Sequence, residues 1–434
     1  MKGLKLIMKK TIKLLSVIFL ILIFILNFSI CLASSDMPDI TAGAAILIDS
    51  SSGKILYGKN ENERMYPAST TKILTAILAI ENCNLNDVVT VPYEAISSIP
   101  SGYTVVPLQV GEQLTVYQLL QVMMVHSAND AANVLAYHIS GSIDSFATVM
   151  NNKIAELGLK NTHFCNPSGQ HDENHYTTAS DLAIIMQYCM KNSTFRSLAG
   201  LKSCILPSTN KSSERVFTTT NDLLTYDHRE VASNYYYPYA IAGKTGYTTA
   251  AKNCLVSVSN KDDFELICVV LSVGIYPNNL SGKFIETKKI FDYGYSNYMI
   301  KKLREKDAIA TSIDVTGGTK ETKNLDLLLS NDITAVIPQN VSDESYEPEI
   351  KLEDNISAPI YQGQILGKIV YNIDGIEYSA DLKAAHNVDI SSFFKLAIQT
   401  VLVILILYFL YLLLFDDSKN KKYRKKFKKN SYKM

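Results

Sequence analysis

The run Leu396 to Phe415 has no charged side chain, and Gln399 and Thr400 are its only clearly polar residues. Its 20 residues match the roughly 30 Å hydrocarbon core of a bilayer. Residues 416–434 follow directly with nine Lys/Arg against two Asp. A buried core helix rarely ends in such a tail, and the positive-inside rule puts the tail in the cytoplasm. The body of the chain is therefore expected outside the cell, tethered at its C-terminus. The other end agrees. Residues 1–33 hold five lysines and no acid, Leu14 to Ile30 is largely apolar, and Cys31-Leu32-Ala33 offers small residues before polar Ser34-Ser35-Asp36. This pattern predicts a signal peptide ending at Ala33, with an uncleaved anchor as the alternative. Cys31 follows Ile30 rather than Gly or Ala, which argues against a lipoprotein anchor.

The formal net charge of zero hides this asymmetry. Residues 34–393 hold 27 basic and 40 acidic side chains, so the exported part is acidic and no nucleic-acid partner is expected. Six cysteines remain after cleavage (Cys83, Cys165, Cys189, Cys204, Cys254 and Cys268), too irregularly spaced to require disulfides.

Ala44 to Asp49 and Ile55 to Gly58 read as strands around a Ser/Gly turn. Helical periodicity covers Ile73 to Ile80, Val116 to His126, Asp130 to Ile139, Ile143 to Leu157 and Ala179 to Met190. Strand character returns at Tyr239 to Thr248, Asn253 to Ser259 and Phe264 to Val273, with a hairpin signal at Asn260 to Asp263, before a helix from Phe284 to Tyr298. The fold class is α+β, an antiparallel sheet covered by helices over residues 34–299. Short alternating runs between Ala308 and Val388 predict a small all-β sandwich over residues 300–390, between the first domain and the span at 396–415.

Three short patterns carry chemistry. In Pro67-Ala-Ser-Thr-Thr-Lys72, Ser69 is placed at a helix N-terminus, where free N–H groups favour a developing negative charge. Lys72 stands one turn on, and a lysine among apolar neighbours can lose its proton and act as the base a serine needs. Alone, the pair also fits a capping serine and a solvated lysine. Ser127-Ala-Asn129 falls at a break between two helices, offering a second hydroxyl and an amide, or simply a cap. Lys244-Thr-Gly246 lies in a strand, where the glycine permits close approach and the lysine and threonine suit a carboxylate; an edge-strand lysine beside a bulge is the bland reading.

Together and in this order, the three resemble the motif set of penicillin-binding proteins and class A β-lactamases. The chain is most similar to the low-molecular-mass penicillin-binding proteins, the serine-type D-alanyl-D-alanine carboxypeptidases. The segments Ala44 to Tyr57, Ser127 to Ala132, Asn166-Pro-Ser-Gly169, His175 to Ala179 and Lys244-Thr-Gly-Tyr-Thr248 look like that family too, over roughly residues 40–300. The resemblance implies that Ser69 attacks the carbonyl between two terminal D-alanines and forms an acyl-enzyme. It implies that Lys72 accepts the proton, that Ser127 relays one to the leaving D-alanine, and that Asn129 orients substrate. Lys244 and Thr245 would bind the terminal carboxylate, and the N–H groups of Ser69 and Tyr247, beside Gly246, would form the oxyanion hole. The implied partners are peptidoglycan stem peptides ending in D-Ala-D-Ala, with β-lactams as covalent inhibitors; no metal or organic cofactor is implied. Two departures stand out: Lys252 follows Ala251 where many relatives have glycine, and Gln170 stands where leucine is frequent.

His163, Cys165, His171 and His175 cluster in sequence, but their spacing matches no common zinc pattern. A class A β-lactamase would carry E-x-x-L-N, whereas Glu156-Leu-Gly-Leu-Lys160 has lysine where asparagine belongs. A catalytically silent wall-binding scaffold is the other alternative, against which the three intact motifs count.

Overall fold

In β1 (Ala44–Asp49) every side chain is buried, because the strand is covered on both faces. The computed structural model describes residues 37–226, 235–277, 281–342 and 345–430, so the expected signal peptide lies outside the described residues. β1 pairs with β2 (Ile55–Lys59) on one side and with β9 (Phe264–Val273) on the other. β8 (Lys252–Lys261) and β7 (Ala240–Thr248) complete an antiparallel sheet in the order β2-β1-β9-β8-β7. The β8–β9 turn is built on Asp262 and Asp263 at φ 51° and 63°, the left-handed pair that matches strand twist in a two-residue hairpin.

The period of two along the strands sorts side chains to the two faces. Ile46, Ile48, Ile267, Val269 and Leu271 join the core formed with α1 (Lys72–Asn82), α3 (Val116–Val125), α4 (Asn129–Ser140) and α6 (Ala179–Met190). Leu47 and Leu266 instead meet Gly294 of α8 (Gly282–Asn297), where an added Cβ would come within 2.6 Å of Leu47. α1 runs through the core, with every residue from Lys72 to Ala79 buried. Fully burying one such aliphatic side chain contributes roughly 1.5–3 kcal/mol, which fixes the helix that carries Lys72. The capping box Thr115–Gln118 starts α3, and Ser142 and Thr178 cap α5 (Ile143–Glu156) and α6.

The helices and main strands fall within a few residues of the sequence expectation. It did not find α2 (Tyr93–Ser97), α7 (Ser193–Ala199), or the hairpins of β3 (Val88–Thr90) with β4 (Gln113–Thr115) and β5 (Ser203–Leu206) with β6 (Arg215–Thr218). These elements are too short for periodicity to register.

The chain divides at Tyr298/Met299 into two units. In the second, β10 (Tyr298–Arg304) pairs with β13 (Ile333–Pro338). The strands β11 (Ile309–Asp314), β12 (Asn324–Leu329), β14 (Glu349–Leu352), β15 (Ile365–Ile373) and β16 (Ile376–Ala384) form a sheet in the order β11-β12-β16-β15-β14. Leu325, Leu327 and Leu329 share a core with Ile333, Ala335 and Ile337 of β13. α9 (Ser392–Asn430) follows; its segment Ser392–Leu412 is the one stretch among the described residues long and apolar enough to cross a membrane, and its side chains are exposed. Ser391 N donates to Gly317 O at 2.8 Å, tying the start of α9 to the β domain.

Candidate active site

Ser69 lies in a 3₁₀ turn, Ala68–Thr71, and α1 starts only at Lys72. The tight turn follows from Ala68, held at the left-handed φ of 48° after Pro67. It keeps the one-turn offset between Ser69 and Lys72. The Lys72 ammonium, fully buried, donates to Ser69 Oγ at 2.9 Å, Asn129 Oδ1 at 2.7 Å and the Ser168 carbonyl at 2.6 Å. Burial first, and the nearby Lys244 charge second, push its pKa well below the ordinary lysine value, while Asp130 opposes. An amine so placed is ready to take a proton.

Ser127 sits between α3 and α4 at φ 66°. That left-handed conformation costs a residue with a Cβ about 1–2 kcal/mol, offset here by the packing of both helices. It turns the hydroxyl to Lys244, whose Nζ donates to Ser127 Oγ at 2.9 Å and to the Thr245 carbonyl at 2.9 Å. Burial, then the charge of Lys283, bring the Lys244 pKa down to about 7. Asn129 is held through Nδ2 and its backbone N–H, both donating to Thr104 O at 2.9 Å. Asp130 accepts from Val106 N and Leu108 N, so the loop before β4 becomes a wall of the site.

β7 brings its glycine against the nucleophile turn. A Cβ on Gly246 would lie 2.9 Å from Pro67 O and 3.0 Å from Ser69 N. Gly169, at φ 80°, is closer still: its Cβ would overlap Ala68 O at 1.8 Å. Asn166 Oδ1 accepts from Gly169 N at 2.8 Å and Gln170 N at 3.0 Å, shaping the loop that presents the Ser168 carbonyl. The Gln170 amide is thus part of this turn.

A cleft of about 430 Å³ opens over Ser69, bounded by Tyr103, Ser127, Asn129, Thr245, Tyr247 and Lys283, among others. The three sequence patterns therefore converge on one cleft, although Lys244 lies behind Ser127, 1% exposed. Thr220 and Lys283, which sequence reasoning missed, also face it; Thr220 Oγ1 lies 2.6 Å from Thr245 Oγ1. Lys283 starts α8, and burial lowers its pKa. A cation at a helix N-terminus opposes the macrodipole, a signal for function visible only once the helix start is known.

The histidine cluster faces two ways, joined through Cys165, whose N–H donates to His175 Nδ1 at 3.0 Å and whose thiol lies 3.7 Å from His163 Nδ1. His175 is buried beneath the Ser69 turn, while His163 and Cys165 line a different groove. Among the described residues no group of three or more His, Cys, Asp or Glu could hold a metal. All six cysteines in the described residues are free. Glu156, the nearest sequence match to the deacylating glutamate of a β-lactamase, pairs with Lys153 at 3.0 Å, and among the described residues no glutamate borders the cleft. Lys252 adopts φ 56°.

The fold and cleft are those of a serine acyl-transfer enzyme of the penicillin-binding type. The chain belongs to the D-alanyl-D-alanine carboxypeptidase family, whose model matches residues 32–274, and the model of the penicillin-binding protein 5 C-terminal domain matches residues 298–389. D-alanyl-D-alanine carboxypeptidase DacF of Bacillus subtilis is 34% identical over 77% of this chain and 82% of its own length. DacA of Haemophilus influenzae is 31% identical over 81% of this chain and 86% of its own. The crystal structure of penicillin binding protein 5 from Haemophilus influenzae superimposes with a TM-score of 0.64 at 30% identity, covering 82% of this chain and 99% of that one.

Proposed function

We propose that the chain removes the terminal D-alanine from peptidoglycan stem peptides through an acyl-enzyme on Ser69, and that β-lactams acylate the same hydroxyl. The observation that carries this reading is the pairing of Ser69 with a wholly buried Lys72 at 2.9 Å. With Lys72 neutral, the hydroxyl donates to the amine and the serine attacks the carbonyl of the penultimate D-alanine. The N–H groups of Ser69 and Tyr247 receive the oxyanion, a device worth typically about 3 kcal/mol per donor. The proton taken up by Lys72 passes through the Ser127 hydroxyl, itself poised on Lys244, to the nitrogen of the departing D-alanine, and Asn129 orients the peptide. Water then frees the shortened stem. Thr245 and Lys283, which border the cleft, and Lys244 behind Ser127 provide the field that holds the terminal carboxylate.

We assign residues 1–33 to export, 34–299 to catalysis, 300–390 to the β-rich region, 396–415 to a membrane span and 416–434 to a cytoplasmic tail. This topology puts the catalytic unit on the wall side of the membrane. It is supported by the apolar segment Ser392–Leu412 and the basic residues after it. Labelling of membranes with a fluorescent penicillin, with and without Ser69→Ala, tests the reading. Loss of label in the variant supports it; equal labelling refutes it.

A further inference from the structure

His175 is 2% exposed and makes two directed hydrogen bonds. Its Nδ1 accepts from Cys165 N at 3.0 Å, which leaves the ring proton on Nε2, 2.8 Å from Thr71 Oγ1. The Thr71 hydroxyl in turn donates to Ala68 O at 2.9 Å. A relay of fixed polarity therefore runs from the Cys165 amide through the imidazole and Thr71 to the carbonyl just before Ser69. The ring stacks on Phe164 at 4.8 Å and 14°. Burial, outweighing the opposing charge of Asp172, lowers its pKa to about 3, so the neutral tautomer is the working form.

The two ends of this relay hold the two sides of the catalytic pair. Thr71 adjoins Lys72 and closes the turn that bears Ser69. Cys165 begins the loop whose Pro167 carbonyl accepts from Thr75 Oγ1 at 2.7 Å and whose Ser168 carbonyl accepts from Lys72 Nζ at 2.6 Å. We propose that His175 is a positioning residue that locks the Ser69 turn to the Cys165–Gly169 loop and so sets the Ser69–Lys72 alignment. It does not border the cleft. Its action on acylation is exerted through Thr71 and the Cys165 amide.

The inference rests on the acyl-enzyme reading. The test is stopped-flow acylation of the full-length chain in detergent by a fluorescent penicillin, separating the initial complex from the acylation step. Wild type and the variants His175→Ala, His175→Gln, Thr71→Val and His175→Ala/Thr71→Val are compared, with thermal melting as the check on folding. Displacing a reacting pair by a fraction of an ångström to 1 Å slows chemistry by up to about 100-fold. The acylation step should therefore fall about 10- to 100-fold in His175→Ala and in Thr71→Val, with the initial complex unchanged. The double variant should be no slower than the worse single one, because both cut the same relay. In His175→Gln an amide oxygen and N–H can replace the two ring nitrogens, and most of the rate should return. If His175→Ala does not fold, His175→Gln and Thr71→Val carry the test by the same criteria.

Wild-type acylation in Thr71→Val, additive losses in the double variant, or a defect confined to the initial complex would each overturn the proposal. No labelling of wild type would instead overturn the acyl-enzyme reading, which keeps the two failures distinct.

Discussion

Gly246 lies so close to Ser69 that a side chain there would begin 3.0 Å from the Ser69 amide nitrogen. The amide is one of the two donors proposed for the oxyanion hole, and the contact fixes the gap between β7 and the nucleophile turn. Gly246→Ala must push the two apart, since Pro67 O at 2.9 Å is backbone and cannot rotate away. Acylation by benzylpenicillin should drop on the order of 10²-fold, as when one oxyanion donor is lost. Wild-type acylation in a folded Gly246→Ala variant would show that the gap is wider or more compliant.

Lys72→Ala should lower acylation of Ser69 by about 10²–10⁴-fold, the usual cost of losing a general base. The cavity lies inside a well-packed helix, so the fold should persist; circular dichroism with rapid-quench acylation checks both halves. A loss of only a few-fold would remove Lys72 from the base role.

Much of this site is legible in the chain because its chemistry sits in local patterns. Ser69 and Lys72 are one turn apart, Ser127 and Asn129 share a helix break, and Lys244 to Gly246 share a strand. The remainder depends on approach in three dimensions. The Ser168 carbonyl that holds Lys72 has no residue-type signature, since every residue carries one. Lys283 reads as an ordinary surface lysine until α8 is seen to start beside the cleft. His175 reads only as part of a family-like segment, in a cluster whose spacing fits no zinc pattern, until its two ring nitrogens are matched to Cys165 N and Thr71 Oγ1. The fold behaves likewise: long apolar runs such as Phe264 to Val273 mark their strands, whereas the three-residue strands β3 and β4 exist only through their mutual pairing.

Lys244 carries a stability signature of its own. Its folded pKa of about 7 lies below the ordinary lysine value, so the unfolded chain binds more protons between those values. Stability contributed by this group therefore rises with pH above about 7, and below it the buried charge is a constant penalty. Lys244→Met should slow turnover of substrates with a free carboxylate yet stabilise the fold at pH 6 by on the order of 1 kcal/mol or more. Denaturant titrations at pH 6 and 9 check this; a less stable variant at pH 6 contradicts it.

Substrates with a free terminal carboxylate should suffer far more than their amides when Lys283 or Lys244 becomes Ala, because charge-assisted contacts vanish only when the partner is ionised. The relevant comparison is kcat/KM for paired acid and amide peptides. Equal losses would place the carboxylate elsewhere.

Lys252→Gly should stabilise the protein by about 0.5–1 kcal/mol by relieving a left-handed backbone, after allowance for the added freedom of the unfolded chain. Lys252 is exposed at φ 56°, so no packing is lost. An unchanged or lower melting temperature would contradict this.

The most direct measurement is intact-mass spectrometry of the full-length chain after incubation with benzylpenicillin, coupled to an assay for D-alanine release from a D-Ala-D-Ala stem peptide. A single penicilloyl adduct mapping to Ser69, D-alanine release by wild type, and neither in Ser69→Ala is the expected result. An adduct on another residue, or D-alanine release that survives Ser69→Ala, would contradict the assignment of Ser69 as nucleophile.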